Sequence, residues 1–106
     1  MIFDVSYSAK ARQDLRDIFE YIAYELLAPE AAAGQTEHIM KVARSLEQMP
    51  MRHRLYEEEP WRSQGLRVLP VDNYLVFYLP DETSATVSII RIMYGGRDID
   101  KQLNDN

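Results

Sequence analysis

The stretch from Asn73 to Asp98, NYLVFYLPDETSATVSIIRIMYGGRD, constrains the fold more than any other part of the chain. It reads as two long strands that are apolar on both faces. Tyr74, Val76 and Tyr78 alternate with Leu75, Phe77 and Leu79, and Val87, Ile89 and Met93 alternate with Ile90, Ile92 and Tyr94. Neither face of such a ribbon can be left to water, so other parts of the chain have to cover it. Pro80 to Ser84 supply turn chemistry between the strands, and so short a connection favours an antiparallel hairpin. Into this apolar run the sequence sets Arg91, between Ile90 and Ile92, and then Arg97 just past the strand. A guanidinium on an apolar strand needs a partner for its charge.

The chain ahead of this hairpin offers the cover. Ile2 to Tyr7 alternates as a short strand with one buried face. Ser8 is a good N-cap, and after it Ala11, Leu15, Ile18, Phe19, Ile22 and Leu26 form one apolar stripe along about five helical turns. Pro29 suits the first position of a second helix, where its missing N–H is no loss. There Ala32, Thr36, Ile39, Ala43 and Leu46 make a narrow seam of small residues, fit for close packing on the first helix. Gly34 lowers the propensity of that helix by about 1 kcal/mol relative to Ala. Met51 to Gln64 reads as an irregular loop whose Leu55, Tyr56 and Trp61 anchor it to the core. Leu66 to Val71 is a third long-range strand in which Pro70 marks an edge or a bulge, and Asp72–Asn73 turns it into the hairpin. Arg97 to Leu103 closes the chain as a helical turn. The expected fold is α+β: an N-terminal strand, a helical hairpin, then a three-stranded antiparallel meander forming one mixed sheet, in a single domain over residues 1–106.

Composition narrows the chemistry. The 106 residues contain no cysteine, which removes disulfides, thiolate metal sites and a cysteine nucleophile. His38 and His53, the only imidazoles, are far apart, so neither a metal nor another cofactor is expected. His38 is expected at the surface or in the helical seam. The consecutive Glu57, Glu58 and Glu59 point in different directions and read as a solvated run. No apolar run approaches the roughly 20 residues of a membrane helix, and the N-terminus lacks an export pattern, so a cytoplasmic protein is expected. A formal charge of −5 argues against broad, salt-driven nucleic-acid binding. It also predicts that a protein partner is held through apolar anchors, with affinity changing little with salt.

Three stretches carry a family resemblance: YSxxARxDLxxIxxYIxxE over Tyr7–Glu25, MPxRHxLYxEEPW over Met49–Trp61, and GLRxLPVDNYLVFY from Gly65 with IIRIMYGGRD to Asp98. Together they resemble the RelE/ParE superfamily of toxins from type II toxin–antitoxin systems. The resemblance implies a small protein neutralised by a cognate antitoxin that wraps its surface. It implies one of two targets: DNA gyrase in the ParE-like branch, or mRNA on the ribosome in the RelE-like branch. A third possibility is a non-toxic partner that only binds the antitoxin and regulates it.

The branches make different demands. Metal-free RNA cleavage needs a base, an acid and cations around the phosphate. Arg67, Arg91 and Arg97 are the candidate cations, converging on one spot, with His53 as base and Tyr94 as acid. The competing arrangement pairs Arg91 with a carboxylate such as Asp72 or Asp98 and leaves Arg67 on a solvated edge. The sequence departs from the RelE-like pattern: Leu75 stands at the strand position of an arginine, Glu57–Glu59 stand where lysines are expected, and neither tyrosine nor histidine follows Arg97. The balance favours a ParE-like, non-hydrolytic inhibitor over an endoribonuclease.

Overall fold

The computed structural model describes residues 1–96 and 98–104. Strand β1 is Asp4–Tyr7, β2 Arg67–Val71, β3 Tyr74–Asp81 and β4 Thr86–Tyr94. They form one sheet in the order β1-β4-β3-β2. The β2–β3 and β3–β4 pairs are antiparallel, and β1 lies parallel to β4, so the sheet is mixed as the sequence predicts. The turn between β2 and β3 works without glycine because Asp72 takes a positive φ of 55°, which aspartate tolerates better than most residues. Pro70 sits exposed on the β2 edge. The donors at Val68 and Tyr56 pair with Arg54 and Leu66 carbonyls, so the preceding loop covers part of that edge.

Helix α1 (Ala9–Glu20) starts at Ser8, whose Oγ accepts the Ala11 N–H, as expected of an N-cap. The same hydroxyl donates to the Ile90 carbonyl of β4 at 2.9 Å, so one side chain caps the helix and ties it to the sheet. Helix α2 (Pro29–Arg44) begins with Pro29 and buries Ala32, Thr36, Ile39 and Ala43, the seam read from sequence. Leu46 follows in a 3-10 turn and is fully buried. Two short helices complete the chain, α3 (Trp61–Gln64) and α4 (Ile99–Asn104).

The apolar hairpin is covered on both faces by different parts of the chain. On one face α1 and α2 pack over Val76, Tyr78, Val87, Ile89 and Ile92. On the other, the helical hairpin contributes nothing. Phe77 and Met93 are covered there by Leu66, Val68 and Leu103, with Tyr56, Trp61 and Ile99 packed around them. The loop and the C-terminal helix therefore form a third layer.

Two departures from simple periodicity follow from one added residue each. β3 and β4 slip register between Phe77 and Tyr78, which face Arg91 and Ile89, leaving Ile90 as an extra residue. Past that bulge the alternation reverses: Ile92 joins Ile89 under the helices, while Met93 and Ile90 go to the opposite face. Strict alternation groups these side chains the other way. At the end of α1 the helix widens into a π turn over Tyr21–Glu25. That turn rotates the expected stripe, so that Ala23 is buried while Leu26 is 56 % exposed.

Candidate functional site

β1 is too short to cover β4. Its four residues pair with Thr86–Ile89 only, and the edge of β4 beyond them would be bare. Side chains take the place of the missing strand: Ser8 holds the Ile90 carbonyl, and the carboxylate of Asp14 on α1 accepts the Ile92 N–H at 2.9 Å. That same carboxylate takes a two-pronged contact from Arg91, Nε to Oδ2 at 2.8 Å and Nη2 to Oδ1 at 3.0 Å. Arg91 Nη1 then reaches the Gln102 carbonyl of α4 at 2.9 Å. Side-chain exposures of 14 % and 11 % for Arg91 and Asp14 make this a nearly dry pair. It joins α1, β4 and α4 in one contact, with a planar fork matched to a carboxylate.

The partner of Arg91 is thus Asp14, not Asp72 or Asp98. Asp72 is engaged elsewhere, accepting from Gln35 at 3.0 Å and contacting His38 Nδ1 at 2.8 Å. These hydrogen bonds, Gln35 first and then His38, hold its carboxyl below the usual range. His38 is accordingly a surface residue with a partner. Helical spacing sets Asp14 on the border of the apolar stripe, three residues after Ala11 and four before Ile18, but its partner lies 77 residues away.

Arg67 is not on a solvated edge either. Its Nη1 donates to the carbonyls of Met51 and His53, at 3.0 and 2.6 Å, and so holds the loop against β2. Arg67 stands opposite Tyr78, whereas Arg91 stands opposite Phe77. Successive residues of a strand point to opposite faces, so the two guanidiniums emerge on different sides of the sheet, two strands apart. The structure does not bring them together. Arg97 lies outside the described residues.

His53 and Tyr94 are also separate. The His53 ring stands edge-on to Tyr78 at 6.3 Å, and Tyr94 stands edge-on to Tyr74 at 5.8 Å. Tyr74 and Tyr78 are four residues apart on one strand, about 13 Å. The candidate base and acid thus pack against different residues of β3. His53 Nε2 is buried without a hydrogen-bond partner. Burial first, then the charges of Arg52 and Arg67, lower its pKa from the ordinary histidine value. Tyr78, whose hydroxyl donates to the Pro50 carbonyl at 2.6 Å, is pushed up to about 12, chiefly by burial. Among the described residues no three His, Asp or Glu side chains converge as a metal site. Nor is any described helix long and apolar enough to cross a membrane.

What the structure does assemble is a groove of about 1000 Å³ between α1, the first turns of α2 and the end of β4. Ile18, Tyr21, Ile22, Leu26, Tyr74 and Tyr94 line it, and the Asp14–Arg91 pair forms part of its floor. Tyr21, Tyr74 and Tyr94 stand close enough that burial, and then the other two phenols, raise the pKa of Tyr74. Beside the groove the hairpin tip exposes Tyr24 at 68 % and Leu27 at 83 %. These residues were readable as a surface feature: Tyr21–Leu27, YIAYELL, holds more large apolar side chains than one helical stripe can bury.

Comparison with known proteins agrees with this architecture. The family model described as ParE toxin of the type II toxin–antitoxin system, parDE, matches residues 5–99. No curated protein sequence matches significantly. Among solved structures, the chromosomal ParDE system from P. aeruginosa superposes with a TM-score of 0.73 at 21 % identity, covering 88 % of this chain and 96 % of that one. A RelBE toxin–antitoxin complex from Mycobacterium tuberculosis gives 0.64 at 21 %, covering 89 % and 99 %. The archaeal RelE–RelB complex from Pyrococcus horikoshii gives 0.62 at 16 %, covering 92 % and 99 %. At these identities the structural likeness speaks for the fold.

Proposed function

The chain belongs to the ParE toxin family of type II toxin–antitoxin systems, and from that premise we propose that it arrests growth by binding an essential protein target, gyrase or one like it. A cognate antitoxin neutralises it by filling the groove between α1, α2 and β4. One contrast carries this reading. The candidate phosphate-holding cations among the described residues are occupied within the fold, Arg91 by Asp14 and Arg67 by two carbonyls, while Tyr21, Tyr24, Leu26, Leu27 and Tyr94 stand exposed in and beside a groove of mixed lining. Open apolar area rimmed by tyrosines suits a protein partner, because such side chains dominate binding energy at interfaces. Guanidiniums on opposite faces of the sheet, each already engaged within the fold, do not suit an in-line attack on RNA.

The test is induction of the chain without its antitoxin, read together with an assay of gyrase supercoiling by the purified protein. The expected outcome is growth arrest with a DNA-damage response, loss of supercoiling, and intact mRNA. Cleaved mRNA in a translating extract, abolished by Arg91→Ala at a temperature where that variant stays folded, would establish the endoribonuclease reading instead. Absence of growth arrest would leave a non-toxic, antitoxin-binding regulator.

A further inference from the structure

We infer that the cleft at the C-terminal end of α2 is a second contact site for the antitoxin, and that it takes an acidic segment of that protein bearing apolar side chains. The inference rests on the reading above that an antitoxin binds this chain. It adds a second place, at the opposite end of the helical hairpin from the groove, and a different chemistry, whose salt dependence revises the salt-insensitive partner binding expected from the net charge.

The net charge of −5 hides a polarised molecule. Residues 41–54 carry four cations, Lys41, Arg44, Arg52 and Arg54, against the single acid Glu47, for +3, which leaves −8 on the rest of the chain. All four cations are exposed. Arg67 adds its charge to the same end by reaching into the loop at Met51 and His53. Among the described residues none of these five lies within 4.0 Å of a carboxylate; the ion pairs are His38–Asp72 and Arg91–Asp14.

A helix C-terminus attracts cations in any case, because its last carbonyls amount to about half a negative charge. That pole favours Lys41 and Arg44, which stand in the last turn of α2, while Arg52 donates its Nη1 to the carbonyls of Gln48 and Met49 beyond the helix. A dipole of about half a charge does not neutralise two exposed cations, so their field still reaches solvent. Lys41 and Arg44 face a cleft of about 600 Å³ that they line with Ser45, Glu47, Gln48, Met49 and Arg52, three cations against one acid. Met49 is 72 % exposed, held out by a left-handed backbone with φ 49°. Its thioether is soft and adapts to varied apolar partners. A rim of cations around an apolar side chain matches a segment that alternates carboxylates with apolar residues. No exposed aromatic side chain lines the cleft for base stacking, which single-stranded nucleic acid would use.

The experiment is fluorescence anisotropy with the full chain and a short labelled peptide alternating glutamate with leucine. A glutamate–serine peptide of equal length and an oligothymidylate serve as the comparison probes. The glutamate–leucine peptide is expected to bind best. The double substitution Lys41→Glu/Arg44→Glu is expected to weaken it about tenfold or more, and raising salt from about 50 to about 200 mM to weaken it severalfold. Lys41→Gln/Arg44→Gln should act in the same direction with less risk to α2. Equal binding of the glutamate–serine peptide, equal or tighter binding of oligothymidylate, full affinity in both variants, or no binding of the glutamate–leucine peptide would each overturn the inference. None of those results bears on growth arrest or gyrase inhibition, so the two readings can fail separately.

Discussion

At the Tyr21–Pro29 end of the helical hairpin, the chain exposes apolar side chains over a floor of satisfied charge. At the Arg44–Arg54 end it exposes charge beside an apolar side chain. The same two helices build both ends, and the difference lies in what meets them. At the first, the short β1 leaves β4 uncovered, so Asp14 and Arg91 close the sheet edge, while Asp17, Gln35 and Asn73 share the groove wall with apolar side chains. At the second, the 3-10 turns Ser45–Glu47 and Pro50–Arg52 tie one arginine to the Gln48 and Met49 carbonyls and leave Lys41, Arg44 and Arg54 exposed. Burial of charge thus marks the groove end as structural beneath and adhesive above, and exposure of charge marks the cleft end as electrostatic.

The largest expected break in that comparison comes from Asp14→Ala. It strands a nearly dry guanidinium and the Ile92 N–H together, at a cost of about 3–5 kcal/mol, as for other ion pairs broken on one side. Thermal or urea unfolding would read it. Lys41→Ala with Arg44→Ala at the cleft end should stay within about 0.5 kcal/mol of wild type. If both ends tolerate their substitutions alike, Asp14 is not a structural lock. Next in size is a binding effect: Tyr21→Ala with Leu26→Ser should cost the antitoxin complex about 2 kcal/mol or more, with little loss of fold stability because both residues are exposed. That loss should be nearly independent of salt, whereas the cleft contribution should fade as salt rises. Calorimetric titration of the antitoxin at two salt concentrations separates them.

Smaller again is Gly34→Ala. Gly34 is in regular helix near the groove end, and a Cβ there would meet nothing within 4 Å. Removing the glycine should stabilise the protein by about 0.4–1 kcal/mol through helix propensity and a less flexible unfolded chain. A destabilised variant would mean that the start of α2 is not the plain helix seen here.

How much of this was legible in the residues follows from how locally each feature is encoded. Ser8, Pro29 and the 4-3-4-3 seam act over a few residues, and they placed the helices where they stand. The doubly apolar hairpin required two covered faces, but it could not tell that α3, α4 and the loop cover the second. The bulge at Ile90 and the π turn after Glu20 each shift a period by one residue, and no residue type announces them. Asp14 is the clearest loss: a carboxylate at the spacing of Ala11 and Ile18 was a visible sign, but its role exists because β1 stops four residues along β4, a three-dimensional fact that spacing does not carry. The charge of the 41–54 segment was visible in the sequence, and averaging over the whole chain concealed it.

The smallest expected effect reads the cleft end from inside. His53 lies under the loop with Nε2 unpartnered, and burial, then Arg52 and Arg67, lower its pKa from the usual value of about 6.5. A base with a lowered folded pKa takes up its proton first in the unfolded chain. Its contribution is therefore fully present above about pH 6.5 and is lost as pH falls through the folded pKa, with stability rising with pH in between. Stability measured from pH 7 down to about pH 5 should fall more steeply for wild type than for His53→Gln, before the carboxylates titrate. Because part of the shift comes from Arg52 and Arg67, Arg52→Gln and high salt should both raise the His53 pKa toward normal in an NMR titration. Burial alone would leave it unmoved by either. A His53 pKa that ignores the surrounding charge would remove the electrostatic contrast between the two ends of the hairpin.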